Sequence, residues 1–459
     1  MKGKLPNQKQ TNLFQPNLNQ IVNPMHELVL LAEQIDWKHL EKEFAPLYSN
    51  TGSPAKPIRL MVSLLVLKHL YNHSDEGLIE FWVQNPYYQY FSGMDTFQWK
   101  KPCDPSDLVY FRNRIGTTGT EIIFKHSVEM HGADALEEHV LVDTTVQETN
   151  VTFPTDTKLH LKIIKGCQKI GEQEGLKLRQ RYTRKIKELR QKLRRGNHAR
   201  RRKEAAAARR HIKTIASRLV RDVWRKMNED QKLKYHQKLL LFALQLEQQK
   251  QSSNKIYSFH EPHTQCIAKG KEHKPYEFGT KVSVAITAIS GIVVSAFSLK
   301  ENTYDGNTIE EVLDQTKRLH QHLPKVLVGD LGYRTKKTHQ EIQIITPNQP
   351  TQHLKEHERR KRRLLMRRRT AIEPVIGHLK SDHRMQKSFY KGFEGGNMNA
   401  LLACTAWNLK KLMKKLKEAF LLPVWSVLRT FTRDMEALLM GSRTKQQPKF
   451  TLNLCLNAA

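Results

Sequence analysis

The chain has 459 residues, 39% of them hydrophobic, which is enough for two or three domains with real cores and excludes disorder throughout. Its 77 Lys and Arg against 45 Asp and Glu give a formal net charge of +32, an excess that calls for a polyanionic partner, with nucleic acid ahead of an anionic membrane surface. No apolar run approaches the roughly 20 residues of a spanning helix, the N-terminal stretch has no apolar signal core, and the five scattered cysteines (Cys103, Cys167, Cys266, Cys404, Cys455) make no C-x-x-C pair, so a membrane protein or a disulfide scaffold is excluded and a reduced, cytoplasmic bacterial setting near the nucleoid is expected.

Residues 1–25 are polar and rich in Gln, Asn and Pro, and read as a flexible arm. Residues 26–130 read as a helical N-terminal domain for DNA-end binding or dimerisation. Leu60, Leu64, Leu67 and Tyr71 recur on one helix face, Pro54 and Pro57 precede that helix, and Asn72 and Gly77 mark turns after it. A Pro-rich loop at 101–107 offers Ser106 or Asp107 as the N-cap of the next helix.

The pattern changes at His139-Val140-Leu141-Val142-Asp143, a β-branched run ending on an acid, with Val151-Thr152-Phe153 as a second expected strand. Lys281–Thr287, Ile292–Leu299, the run Val326-Leu327-Val328 before Gly329-Asp330, and Ile342–Thr346 read as further strands with a helix after Asn307. Strands alternating with helices imply a mixed α/β sheet over residues 131–415. Residues 155–252 interrupt it. Leu178, Tyr182, Ile186, Leu189 and Leu193, then Ile212, Ile215, Leu219 and Val223, describe a basic helical hairpin broken at Gly196-Asn197. Between residues 176 and 250 stand 25 Lys and Arg and 6 Asp and Glu, so much of the excess charge lies in this insertion. Residues 416–459 have a weak pattern and form a tail with no assigned structure.

Asp143 and Asp330 each close a hydrophobic strand-like run, and acids at strand ends meet at the rim of a sheet. Hard carboxylate oxygens from distant parts of a chain are what Mg²⁺ needs, and two such ions can serve an in-line phosphoryl displacement. A strand-end aspartate is also an ordinary turn former or cap, so two of them do not decide the matter. A third acid, Glu373, lies on an expected helix with Arg369 four residues before it and Lys380 seven after, so the three share a face. Pro374 predicts a kink or a new helix start there. Eight Lys and Arg fill the eleven residues from Arg359 to Arg369. A solvated helix face or a localisation signal would explain such a run, but its position just before Glu373 favours DNA phosphates.

At this point the chain resembles the DDE insertion-sequence transposases of the IS-four/IS-five superfamily, most closely the IS-five branch. That family's signature is Tyr, two residues, Arg, three residues, Glu, six residues, Lys. Arg369, Glu373 and Lys380 match its spacing, and Met366 stands where the Tyr is expected. Val142-Asp143-Thr144-Thr145 and Gly329-Asp330-Leu331-Gly332-Tyr333 resemble the surroundings of the two catalytic aspartates. Tyr276-Glu277-Phe278-Gly279-Thr280-Lys281 resembles the lead-in to the strand between them. The likeness runs over roughly residues 50–415. It implies an RNase H-like core in which Asp143, Asp330 and Glu373 bind two Mg²⁺ ions (Mn²⁺ substituting). Water would free a 3′-OH at the element's end, which then attacks target DNA, and Arg369 and Lys380 would hold phosphates at the scissile bond.

The further DNA-binding candidates are Arg367 and Arg368 beside that site and Arg194, Arg195, Arg201 and Arg202 in the insertion. The partners implied are double-stranded DNA, as terminal inverted repeats and as target, and a second copy in a dimer that holds two ends. The insertion's apolar stripe also fits an oligomer contact. His260-Glu261-Pro262-His263-Thr264-Gln265-Cys266 has some metal-ligand character but no second ligand pair, and a loop near the active site explains it better. No G-x-x-x-x-G-K-[ST] run is present, so ATP is not expected. Two other functions share these features: a non-catalytic DNA-binding protein, decayed or architectural, and an RNase H-like nuclease without strand transfer.

Overall fold

A computed structural model describes residues 2–3, 17–49, 51–268, 272, 274–334, 338–339, 341–348, 352 and 354–441, with the backbone alone for 338–339 and 420–441. The first part is helical: α1 (Leu18–Ile21), α2 (Glu27–Gln34), α3 (Trp37–Phe44), α4 (Ile58–Leu70), α5 (Asp75–Gln84), α6 (Pro86–Phe91) and α7 (Pro105–Glu129). Leu18 and Val22 are buried, so the end of the expected flexible arm is instead built into the helical core, while residues 4–16 lie outside the described residues. Nearly every residue of α4 is buried, not one stripe, because α4 runs through the middle of the bundle. Gly77 falls inside α5, whose N-cap is Ser74. The cap of α7 is Asp104, in a reciprocal capping box with Asp107, rather than Ser106 or Asp107.

The chain then enters β1 (His139–Thr149), which absorbs the whole acid-bearing run and ends before Val151, so the expected strand at 151–153 is absent. Four helices follow: α8 (Asp156–Gln173), α9 (Thr183–Arg194), α10 (Arg202–Lys226) and α11 (Glu229–Glu247). The hairpin read from the periodicity is the α9–α10 pair, and α8 and α11 complete a small bundle with its own core, which includes Ile163, Cys167, Leu189, Ile212, Ile215, Leu219 and Phe242. Tyr182, in the left-handed conformation, starts α9, so Leu178 packs from a non-helical segment.

The sheet resumes with β2 (Gln265–Ala268), β3 (Tyr276–Thr287) and β4 (Val293–Leu299), then α12 (Ile309–His320), β5 (Val326–Val328), β6 (Thr338–His339) and β7 (Ile342–Ile345). Next come α13 (Glu356–Arg368), α14 (Ile372–Ser381), β8 (Lys387–Ser388) and α15 (Gly392–Gly441). The strand order through the centre is β4-β3-β1-β5-β7. β3 is antiparallel to β1 and β4, whereas β5 is parallel to both β1 and β7. This is a mixed sheet of RNase H-like order, with the helical insertion between its first two central strands. Gly279 lets β3 close on β1: a Cβ there would sit 2.0 Å from the Gln147 carbonyl oxygen.

The helix α15 joins the two larger cores. Leu402, Ala406, Leu409 and Met413 form a stripe in the core of the N-terminal helices, while Ala400, Leu401, Ala403 and Cys404 face the sheet core. The region assigned as a tail from 416 is helical as far as Gly441, and residues 442–459 lie outside the described residues. Polar contacts reinforce the junction. His69 Nδ1 and His383 Nδ1 each bond the other residue's carbonyl oxygen, at 3.2 and 3.0 Å.

Candidate active site and nucleic-acid interface

The register of the two central parallel strands places the aspartates. Leu141 of β1 pairs with Val328 of β5, the last pair between them, and Asp143 and Asp330 each lie two residues further on. Beyond that pair β5 leaves β1, and β8 takes the same side of β1 only from Glu148. The two acids therefore flank a fork in the sheet, where backbone is not closed by a neighbouring strand and a ligand can reach side chains.

Local bonds set both carboxylates. Asp143 Oδ1 accepts from the Thr144 backbone N–H at 2.7 Å, and Asp330 Oδ1 from the Gly332 N–H at 2.8 Å. A third acid enters the fork, one whose local sequence carries no catalytic signal. Asp305 opens the 3-10 turn Asp305–Thr308, and its Oδ1 accepts from Thr144 Oγ1 at 2.8 Å and pairs with Lys281 Nζ at 2.5 Å. A Cβ added to Gly332 would lie 2.7 Å from Asp305 Oδ2 and 2.9 Å from Asp330 Oδ1, so both carboxylates press on the same small volume. Tyr333 is fully buried beneath them. Burial, reinforced by Asp305, Asp143 and Asp330, holds its hydroxyl protonated well above the usual tyrosine range.

Glu373 is exposed in the first turn of α14, which packs on the sheet core through Ile372, Val375 and Leu379 and touches β1. Pro374 is tolerated because it also falls in that first turn, where no i−4 carbonyl partner is lost. The basic helix before it is not continuous with α14: a 3-10 turn, Arg369–Ala371, separates them, so Arg369 and Glu373 do not share one ideal helix face. Met366, in the signature Tyr position, is half-buried against the sheet core. Arg367 and Arg368 are exposed, Arg369 and Lys380 are half-buried, and Arg368 also donates to the carbonyls of Ala288 and Ile289 at 2.8 and 3.1 Å.

All ligand atoms that Asp143, Asp330 and Glu373 could offer are carboxylate oxygens, the donor set of a hard divalent cation. Among the described residues no three His, Cys, Asp or Glu side chains stand close enough to hold a metal ion, so Asp143, Asp330 and Glu373 do not form a ready three-acid cluster. The 260–266 segment serves as a structural clasp. Glu261 Oε2 accepts from Gly392 N–H at 3.0 Å, and Thr264 Oγ1 meets Thr149 Oγ1 at 2.9 Å, which ties the end of β1 to the start of α15.

A second basic surface lies in the insertion, where α8, α9 and α10 enclose a cleft of about 690 Å³ lined by Lys158, Arg190, Arg194, Arg209, Arg210 and Lys213. Of the four insertion arginines singled out from sequence, Arg194 lines this cleft. Arg195, Arg201 and Arg202 are exposed around the α9–α10 connection. The i,i+4 pairs Arg190/Arg194 and Arg209/Lys213 were available as a signal, since that spacing stacks charges on one helix face.

A family model described as a transposase domain matches residues 16–114, and one described as a transposase DDE domain matches residues 247–409. The chain belongs to the DDE-type insertion-sequence transposases. Asp330 and Glu373 fall within the matched DDE segment, and Asp143 lies between the two matches. A Rhizobium meliloti protein, described as uncharacterized protein ORF8 in the nfe locus, is 40% identical over 205 residues, which is 44% of this transposase and 99% of that protein. No solved structure matches the chain. Transposases of this kind act on DNA and work with divalent metal ions, and the strand order and helical first part of this one agree with an RNase H-like catalytic core. Among the described residues no helix is long and apolar enough to cross a membrane.

Proposed function

We propose that this transposase, of the IS-five branch, uses Asp143, Asp330 and Glu373 as its acids with Mg²⁺ as the working ion and Mn²⁺ as a substitute. The observation that carries the reading is the matched position of Asp143 and Asp330 beyond the last β1–β5 pair. Ions held by these carboxylates would activate the attacking oxygen and stabilise the leaving one. The protein's own part is positional. Two aspartates held by strand register and backbone N–H bonds offer oxygens at fixed places, and Glu373 supplies the third carboxylate from the first turn of α14. Arg369 and Lys380, on either side of Glu373 in the chain, neutralise phosphate charge at the scissile bond, and Arg367 extends that contact.

The N-terminal helices serve DNA-end binding or dimerisation, and a homodimer holds both terminal inverted repeats. The insertion acts as a DNA clamp through its arginine-lined cleft, together with Arg195, Arg201 and Arg202. No membrane and no ATP take part in this reading, and the site of action is the nucleoid.

The test is to incubate the full chain with duplex DNA carrying the element's ends, target DNA and Mg²⁺. End nicks and joined products are expected. Asp143→Asn, Asp330→Asn and Glu373→Gln should each lower nicking by roughly a hundredfold or more, the scale of losing one preorganised electrostatic group, with end binding retained in a gel-shift assay. Nicks without joined products would make the chain a nuclease, and full activity of any of these variants would remove that acid from the site.

A further inference from the structure

Asp305 belongs to no sequence motif and Lys281 only closes the strand lead-in, yet both reach the fork. Lys281 lies on β3 opposite Val146, and its ammonium, largely buried, donates to the Thr303 carbonyl at 2.8 Å and pairs with Asp305 at 2.5 Å. Asp305 in turn is bonded to Thr144, the residue after Asp143, and shares the space over Gly332 with Asp330. It thus touches both acid-bearing strand ends. Beneath this group lies the fully buried Tyr333 hydroxyl, beside Thr308.

We propose that Lys281 and Asp305 form a charge pair that sets the affinity of the carboxylate fork for its divalent cation: Asp305 adds negative potential and fixes the spacing of the strand ends, and Lys281 offsets that potential. The inference rests on the reading of Asp143 and Asp330 as cation-holding acids. Asp305 is here a positioning residue, not a catalytic one. Its charge lies close enough to a cation at the fork to matter, and Lys281 keeps the group from becoming so negative that it repels itself in the absence of metal. The pair also explains why a lysine is buried in a central strand, where burial is otherwise costly.

The two members have opposite signs, so their loss should have opposite effects, which simple structural damage would not produce. Binding of Mn²⁺ alone to the full chain without DNA can be followed by the electron paramagnetic resonance signal of free Mn²⁺. Lys281→Met should lower the half-saturating Mn²⁺ concentration by roughly tenfold, and Asp305→Asn should raise it by roughly tenfold, the order expected for a unit charge several ångströms from a divalent ion in a part-exposed site. The double variant, neutral at both positions and with the Thr144 hydrogen bond retained, should lie within about threefold of the parent. Shifts of the same sign in both single variants, or no shift, would overturn the proposal. Should either single variant fail to fold, a tenfold shift in the double variant would do the same. Asp143→Asn separates the two layers. Unchanged Mn²⁺ binding there removes the cation reading itself, whereas abolished binding there with same-sign shifts at 281 and 305 removes only the charge pair.

Discussion

At the residue scale, the chemistry of a side chain could be read early, but its commitments could not. Asp143 and Asp330 stood out because each ends a run of strand-forming residues, and the register of β1 and β5 brings those ends level. Asp305 did not stand out: it lies in no strand run or motif, and only the fold carries it to Thr144 and Gly332. Arg368 looked like its neighbours Arg367 and Arg369, yet it caps two carbonyls of the β3–β4 turn. Asn408 is a similar case. Fully buried on α15, it accepts from the Val293 N–H at 2.9 Å and donates to the Val293 carbonyl at 2.9 Å, closing the start of β4. Asn408→Ala should destabilise the protein by about 2–4 kcal/mol, because two buried backbone groups lose their partner at once. Chemical denaturation with fluorescence detection would measure it, and a change below about 0.5 kcal/mol would mean that water replaces the amide.

At the scale of elements, periodicity found most helices and the hydrophobic strands, and failed where two signals overlap. The stripe in α4 implied one buried face, but a central helix is buried all round. The spacing from Leu178 to Leu193 looked like one helix, although its first part packs as an irregular segment and helix begins at Thr183. Charge in the insertion was legible as a total, whereas the cleft between α8, α9 and α10 depends on how those helices pack. Changing Arg190, Arg194, Arg209 and Arg210 to Gln should reduce the slope of log binding constant against log salt by about 0.9 for each phosphate that is no longer neutralised. These side chains are outside the insertion's apolar core, so its helix content by circular dichroism should stay the same. An unchanged slope would turn the cleft away from DNA.

At the scale of the whole molecule, three cores are joined, and α15 belongs to two of them. Several histidines lie in or beside these cores. Burial pushes His160, in the insertion, and His320, at the end of α12, down to about 4, with nearby Lys213 and Lys125 adding to the effect. Burial likewise holds His69, at the junction of α4 with the 383 region, well below its ordinary value. A lowered folded-state value means that between about pH 4 and 6.5 the unfolded chain takes up protons that the folded chain refuses. Stability is therefore full above about pH 6.5 and falls as pH drops toward 4, by the order of 2 kcal/mol each for His160 and His320, with His69 acting in the same direction. Thermal unfolding midpoints from pH 7.5 to 4.5 would show this, and His160→Gln should flatten the acid limb for the insertion. A midpoint that rises on acidification would contradict the assignment.

The sequence alone determined the polyanionic partner, the mixed α/β class, the presence of a basic helical insertion, and which acids to suspect, since charge, hydrophobic period and motif spacing are local quantities written along the chain. The tertiary structure decided the rest. It brought Asp143 and Asp330 level at the fork, introduced Asp305 and Lys281 beside them, set Glu373 in the first turn of α14, and tied Arg368 to the β3–β4 turn. Those outcomes depend on strand register and helix packing between residues far apart in the chain, and no local pattern encodes the distance between two such positions.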